Sequence, residues 1–287
     1  MTPPLVIPPY LKEAPLTGLI GMGGGATSHR VYTSSSADAY QIKKSVRFDE
    51  AGTTYFDKTF SLGNRRVWTW SGWLKRTNVN NSVNGEIDVF WEARTSASNL
   101  SMFQFTASDE LEVYNYPGSY TTQKVTKRKF RDPSAWYHIV ISYNGEAGGT
   151  KIFVNGVQET DFDTNNEASA DEEWMFNTAN AHQLGRRADG TTPHFNGYLT
   201  EVYWIDGLAL DPSAFAKYSS SGSWDPKAFA LSTPNGGTTW SNETWKYVSD
   251  NSTVSWTGAL SRAFNPEPTW GTNAYASTGN DLYWEPS

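Results

Sequence analysis

Cysteine is absent from all 287 residues, which excludes a disulfide framework, thiol catalysis and the usual structural zinc sites. No run of about 18 apolar residues occurs, so no segment reads as a membrane-spanning helix. Basic residues are the minority charge. The 23 Lys and Arg face 30 Asp and Glu, a net charge of −7, which sets the chain on average against nucleic acid and anionic membranes. Neither a nucleic-acid partner nor membrane insertion is expected. The four histidines, His29, His138, His182 and His194, are scattered rather than spaced as metal ligands, and His138 falls in an apolar strand pattern where a packed, hydrogen-bonded ring is expected. GMGGG at 21–25 neither follows a strand nor opens a helix, so it is not a phosphate cradle.

What is plentiful is aromatic. With 13 Trp, 15 Tyr and 14 Phe, such residues make up 15% of the chain, and with frequent Thr, Ser, Asn and Gly they indicate strands and turns rather than helices. Residues 1–41 have no periodicity. Pro3, Pro4, Pro8, Pro9 and Pro15 impose an extended path, and no basic start marks a signal peptide. This arm still carries Leu5, Ile7, Tyr10, Leu11, Leu16, Leu19 and Ile20, more apolar side chains than a solvated linker needs, so it is expected to dock on another subunit, with packing back on its own domain as the alternative.

From 42 to 224 the pattern changes to about eleven short runs of β formers bounded by turn residues, among them SVRFD, VWTWSGWLKR, IDVFWEA, ELEVYNY, WYHIVISY and YLTEVYWIDG. Asn155-Gly156 in IFVNGVQET is the strongest hairpin signal, because Asn-Gly suits a two-residue type I′ turn. DPSAFAKY, opening on Asp-Pro, predicts one short helical turn. Residues 225–287 read as a small β-rich region with WKYVSD, STVSWTG and DLYWEPS as strands; it is either incomplete or paired with a neighbouring chain. The expected class is all-β, a jelly-roll sandwich with an extended N-terminal arm and a small C-terminal β region.

Trp136 to Thr160, WYHIVISYNGEAGGTKIFVNGVQET, followed by GYLTEVYWIDGLALDPSAF at 197–215, resembles the laminin-G-like, concanavalin A-like jelly-roll family. AYQIKKSVRFDEAGTTYFDKTFSLGNRRVWTWSGWLKR (39–76) and FRDPSAWYHIV (130–140) are similar to virion structural proteins of marine tailed bacteriophages that carry this domain. The resemblance implies a particle component assembled in the host cytoplasm, most simply a tail fibre or adhesin. It would be a homo-oligomer, with a trimer favoured, in which the arm binds other virion subunits and the jelly roll meets a host-surface glycan. A capsid decoration or cement protein is the alternative, and a glycan depolymerase the third reading.

GEIDVFWE at 85–92 tests the depolymerase. Glu86 and Glu92 share one face of a straight strand but lie six residues, roughly 20 Å, apart. Paired glycosidase carboxylates need about 5 to 9.5 Å. Glu86 and Asp88 alone could approach, but adjacent acids on a strand read as a solvated face, with Phe90 or Trp91 in the core; no catalytic residue is assigned. Laminin-G-like domains often hold calcium at a rim, and the acidic loops ADGTTPHFNG (Asp189, Asn196) and ETDFDTNNE (Asp161, Asp163) are the candidates. No other cofactor is expected. Trp68 and Trp70 share one strand parity and belong to the core, with Trp73 on the other side. In YNYPGSY, Tyr116 and Tyr120 flank Pro117-Gly118 in an expected loop, which makes them the candidate glycan contacts.

Overall fold

The computed structural model describes residues 40–42, 45–48, 54–60, 62–79, 87–167, 169–189 and 194–229, with the backbone alone for 242–249 and 252–259. All belong to the unit Tyr40–Ser287. Leu5, Ile7, Tyr10, Leu11, Leu16, Leu19, Ile20 and Glu86 lie outside the described residues.

The strands are β1 (Val46–Phe48), β2 (Tyr55–Thr59), β3 (Trp68–Arg76), β4 (Asp88–Ser96), β5 (Asn99–Phe105), β6 (Glu110–Pro117), β7 (Thr122–Lys129), β8 (Tyr137–Tyr143) and β9 (Thr150–Val154). Then come β10 (Val157–Gln158), β11 (Phe162–Asn166), β12 (Ala181–Leu184), β13 (Gly197–Asp206), β14 (Ala216–Tyr218), β15 (Trp224–Pro226), β16 (Asn242–Ser249) and β17 (Ser252–Ala259). Two antiparallel sheets form the sandwich. One has the order β1-β13-β3-β8-β9-β10 and the other β11-β7-β6-β5-β4-β12-β2-β16-β17, with β14-β15 as a separate pair. WKYVS and STVSWTG lie in β16 and β17, and β16 joins the larger sheet by pairing with β2 through Lys246–Val248.

Side chains alternate across each strand, so the even-numbered tryptophans of VWTWSGW, Trp68 and Trp70, enter the core while Trp73 faces away. Opposite them the larger sheet contributes Phe90, Trp91, Phe103, Phe105, Leu111 and Val113. Three indoles bridge the layers: Trp68 stacks on Trp204 at 5.3 Å, and Trp204 on Trp91 at 5.5 Å. Each such pair adds about 0.5–1.5 kcal/mol beyond its buried area.

The smaller sheet is covered on its outer face as well. Residues 208–229 fold back so that Phe215 and Phe229 pack on Val140, Tyr203 and Ile205. The predicted helical turn is a 3-10 turn at Pro212–Ala214, where Asp211 caps by accepting from Ser213 N at 2.9 Å. Because both faces are covered, β3 is buried at nearly every position. The expected hairpin joins β9 to β10, with Asn155 at φ 49° and Gly156 at φ 80°. Any Cβ at Gly156 would also lie 2.7 Å from the Trp224 ring, so this turn is tied to the covering segment.

Two strands of the sandwich were not foreseen. TQKVTKRK forms β7, paired with both β6 and β11. Its three lysines suggest solvent, yet Lys124 is buried, with Nζ over the Phe162 ring at 4.7 Å and bonded to Asn165 and Glu167. FDTNN is β11, the edge strand of the larger sheet, rather than a loop: partnering with β7 overrides its loop-like composition.

Candidate functional site

The expectation that Glu86 and Asp88 form a solvated face fails at Asp88, which is 1% exposed. The fully inward Arg76 holds it, Nε and Nη2 donating to Asp88 Oδ2 at 3.0 and 2.7 Å. The same guanidinium bonds Asp109 Oδ1 at 2.9 Å and Phe130 O at 2.8 Å, and lies over the Phe105 ring at 4.5 Å. Asp88 is therefore a packing anchor. Nothing in GEIDVFWE signals this, because Arg76 comes from β3.

Glu92 is fully buried on the outer side of β4. Its Oε1 accepts from Arg94 Nε at 2.5 Å and its Oε2 from Ala188 N at 2.5 Å. Burial raises its pKa, opposed by the Ala188 N–H and the Arg94 charge. Arg94 also donates to Asp189 Oδ2 at 2.6 Å, and Arg187 lies 3.3 Å from the same oxygen. Asn196 Oδ1 accepts from Arg47 Nη2 and Thr77 Oγ1, each at 2.7 Å. Each of the two calcium candidates is thus bonded by a guanidinium group, and Asp161 pairs with Lys127 at 2.7 Å. Among the described residues no group of three or more His, Cys, Asp or Glu could hold a metal ion.

The tyrosines do come together. In ELEVYNYP, Leu111 and Val113 point into the core, so Glu112, Tyr114 and Tyr116 point outward. Tyr116 is therefore a strand residue, half-buried beside Leu100, not a loop residue. Beyond it the chain turns at Gly118 (φ 86°), whose N–H donates to Ser98 O at 2.6 Å, and returns Tyr120 over the strand. The Tyr120 ring lies 4.9 Å from Tyr116 and 5.3 Å from Tyr114, nearly perpendicular to both, and is 49% exposed. Burial and then the Glu112 charge push the Tyr114 and Tyr120 phenols up, so both remain neutral donors at neutral pH.

Beside them Glu112 accepts from Gln104 Nε2 at 2.6 Å and from Gln123 Nε2 at 2.7 Å. The carboxylate fixes both amides, and Gln104 Oε1, though buried, has no hydrogen-bond partner among the described residues. Sequence reasoning missed Gln104, Glu112, Tyr114 and Gln123. The alternation within ELEVYNY carried a signal for Glu112 and Tyr114, whereas the two glutamines needed the strand register.

His138 and His182 are both engaged in packing. His138 Nδ1 accepts from Trp224 Nε1 at 3.0 Å, which leaves the ring proton on Nε2, 3.0 Å from Ser71 Oγ. A protonated Nε2 cannot take the serine proton, and burial drives the His138 pKa down to about 3. His182 accepts the Asn177 N–H at 3.1 Å on Nε2, stacks on Phe60 at 3.8 Å, and has its pKa lowered to about 3 by burial.

Comparison with known proteins matches residues 49–214, more than half of the chain, to the laminin-G-like family described as the concanavalin A-like lectin/glucanases superfamily. No curated protein matches. Among solved structures, the chain is similar to a native heptameric SAP-like pentraxin from Limulus polyphemus, with 15% identity over 77% of this chain and 97% of that one, at TM-score 0.46. It is also similar to domain 4 of AbnA, a GH43 extracellular arabinanase from Geobacillus stearothermophilus in complex with arabinotriose (16%, 61% and 76%, TM-score 0.44). A third is the Ruminococcus gnavus IT-sialidase CBM40 bound to alpha2,3 sialyllactose (13%, 60% and 94%, TM-score 0.41).

Proposed function

The chain belongs to the concanavalin A-like lectin/glucanases superfamily, and from that premise we propose that it is a non-enzymatic glycan-binding protein of a bacteriophage particle, a tail fibre or adhesin. The observation that carries the glycan reading is the Tyr114–Tyr116–Tyr120 cluster beside the Gln104–Glu112–Gln123 hydrogen-bonded row, on the outward face of the larger sheet. Half-exposed Tyr120 offers a ring for the C–H face of a sugar. The half-buried Gln123 carbonyl and the Tyr116 and Tyr120 phenols supply acceptors and donors for its hydroxyls, with Tyr114 and Gln104 buried behind them.

The occupancy of the Glu112 and Glu92 carboxylates supports binding without hydrolysis. Both oxygens of Glu112 are taken by amides, and both of Glu92 by Arg94 and Ala188, so neither is free to protonate a glycosidic oxygen or to activate water. The placement in a virion is supported by the likeness of residues 39–76 and 130–140 to tailed-phage structural proteins, with the N-terminal arm docking the domain on the particle. Multiple copies would let a weak site suffice through avidity.

A glycan array read with wild-type protein and Tyr120→Ala tests the site. Binding to at least one glycan without release of reducing ends, weakened ~10-fold or more in the variant, is expected from the loss of one stacked ring. Equal binding by both proteins would remove the tyrosine cluster from the reading. Copy number against the major capsid protein in purified particles tests the placement: a few dozen or fewer at one vertex is expected, and hundreds over the head would make it a decoration protein.

A further inference from the structure

The outer face of the smaller sheet carries a second group of aromatic residues, remote in sequence from the tyrosine cluster. In β3 the residues facing away from the core are Thr69, Ser71, Trp73 and Lys75, and the strands beside it add residues of the same facing. The segment 208–229 covers this face as far as the row containing Trp73 and His138, where Trp224 bonds His138. One row further along, Arg47 of β1 stands opposite Tyr198 of β13, and Tyr198 opposite Lys75 of β3. Trp136 immediately precedes β8, whose Tyr137 faces Leu74, so it completes the row beside Lys75.

The sequence of the row is therefore cation, aromatic, cation, aromatic. Trp136 is 37% exposed, a large apolar area to leave in water, while Tyr198, Lys75 and Arg47 are half-buried. The Trp136 and Tyr198 rings lean together across Lys75 to 6.4 Å between centroids, and the Arg47 guanidinium lies 5.3 Å from the Tyr198 centroid. Arg47 is oriented by Asn196 Oδ1 at 2.7 Å and Gly197 O at 3.4 Å. Among the described residues Asp132 interacts through its charge with Lys75, and its carboxylate is engaged by the Ser134 N–H at 2.8 Å and hydroxyl at 2.6 Å. Arg131 next to it is committed to Asp109 at 2.9 Å.

We propose that the Arg47–Tyr198–Lys75–Trp136 row is a second carbohydrate-binding platform, which takes a short anionic saccharide. Sugar rings stack on Trp136 and Tyr198, and the carboxylate or sulfate groups pair with Lys75 and Arg47. Three inter-strand spacings, roughly 14 Å in all, set its length. Local positive charge on a protein of net charge −7 is what selects an anionic ligand over a neutral one. Rows of aromatics and cations also suit single-stranded nucleic acid, which is therefore the competing ligand in the test.

The test is binding of the full chain at about 0.15 M salt, where exposed charges beyond ~8 Å are screened, to oligogalacturonate, dextran sulfate, neutral dextran and oligothymidylate. Binding to oligogalacturonate, dextran sulfate or both, with dextran unbound, is expected, and the arm that binds identifies carboxylate or sulfate as the recognised group. Trp136→Ala and, separately, Lys75→Gln should each weaken that binding ~10-fold with an unchanged thermal melt, while Tyr120→Ala leaves it intact. The proposal is overturned if neither anionic saccharide binds, if both variants bind as the wild type does, or if oligothymidylate binds more tightly than either. Because Tyr120→Ala reports the other face, loss of one site does not mimic loss of the other.

Discussion

Lowering the pH from 7 to 5.5 should destabilise the protein through His138 and His182. Both rings are buried and neutral, with pKa values depressed to about 3, whereas in the unfolded chain each titrates near 6.5. The unfolded state therefore binds protons first as pH falls, and stability present above pH 6.5 is lost below it. With the folded rings unprotonated throughout, each histidine costs about 1.3 kcal/mol over this window and the pair ~2.5 kcal/mol. That figure requires only that the folded pKa lie well below 5.5. At a urea slope of about 2 kcal/mol per molar, the unfolding midpoint should fall by about 1 M. Glu92 and Asp206 work in the opposite direction, because burial raises their folded pKa values and falling pH then favours the folded form. They are present in wild type and histidine variants alike, so the difference between proteins isolates the histidines. Urea titrations at both pH values on wild type, His138→Gln and His182→Asn should show each variant losing roughly half of the histidine-linked shift, whatever its absolute stability. A variant pair that retains the full wild-type pH dependence would refute the assignment of buried, neutral rings.

Two further perturbations test the packing. Arg76→Met leaves Asp88 and Asp109 buried without their shared cation and should cost about 3–5 kcal/mol in urea unfolding, although Asp109 keeps Arg131; a loss under about 1 kcal/mol would mean the network is dispensable. Gly156→Ala places a Cβ at φ 80° and against the Trp224 ring, so it should cost about 1–3 kcal/mol and shift the tryptophan emission as Trp224 leaves His138. A native-like spectrum and midpoint would show that the hairpin and the covering segment are not coupled.

Much of the fold was legible because side-chain alternation is local. VWTWSGW assigned two indoles inward and one outward without knowledge of any neighbour, Asn155-Gly156 specified its own hairpin, and Asp211-Pro212 its own turn. Tyr116 and Tyr120 were read as one loop, and although Tyr116 belongs to β6, a single turn brings their rings together. The tertiary structure decided what depends on strand order and register. Asp88 looked solvated until Arg76, twelve residues away, was found to be its partner. TQKVTKRK became a strand because β6 and β11 flank it. Asp189 and Asn196 stand in one acidic stretch of the sequence, but Arg94 of β4 and Arg47 of β1 are what bond them. The row of Arg47, Tyr198, Lys75 and Trp136 draws on four distant segments, and a shift of one residue in any pairing would turn a member of it into the core. Local alternation gives each residue a face; only long-range pairing decides which residues share it.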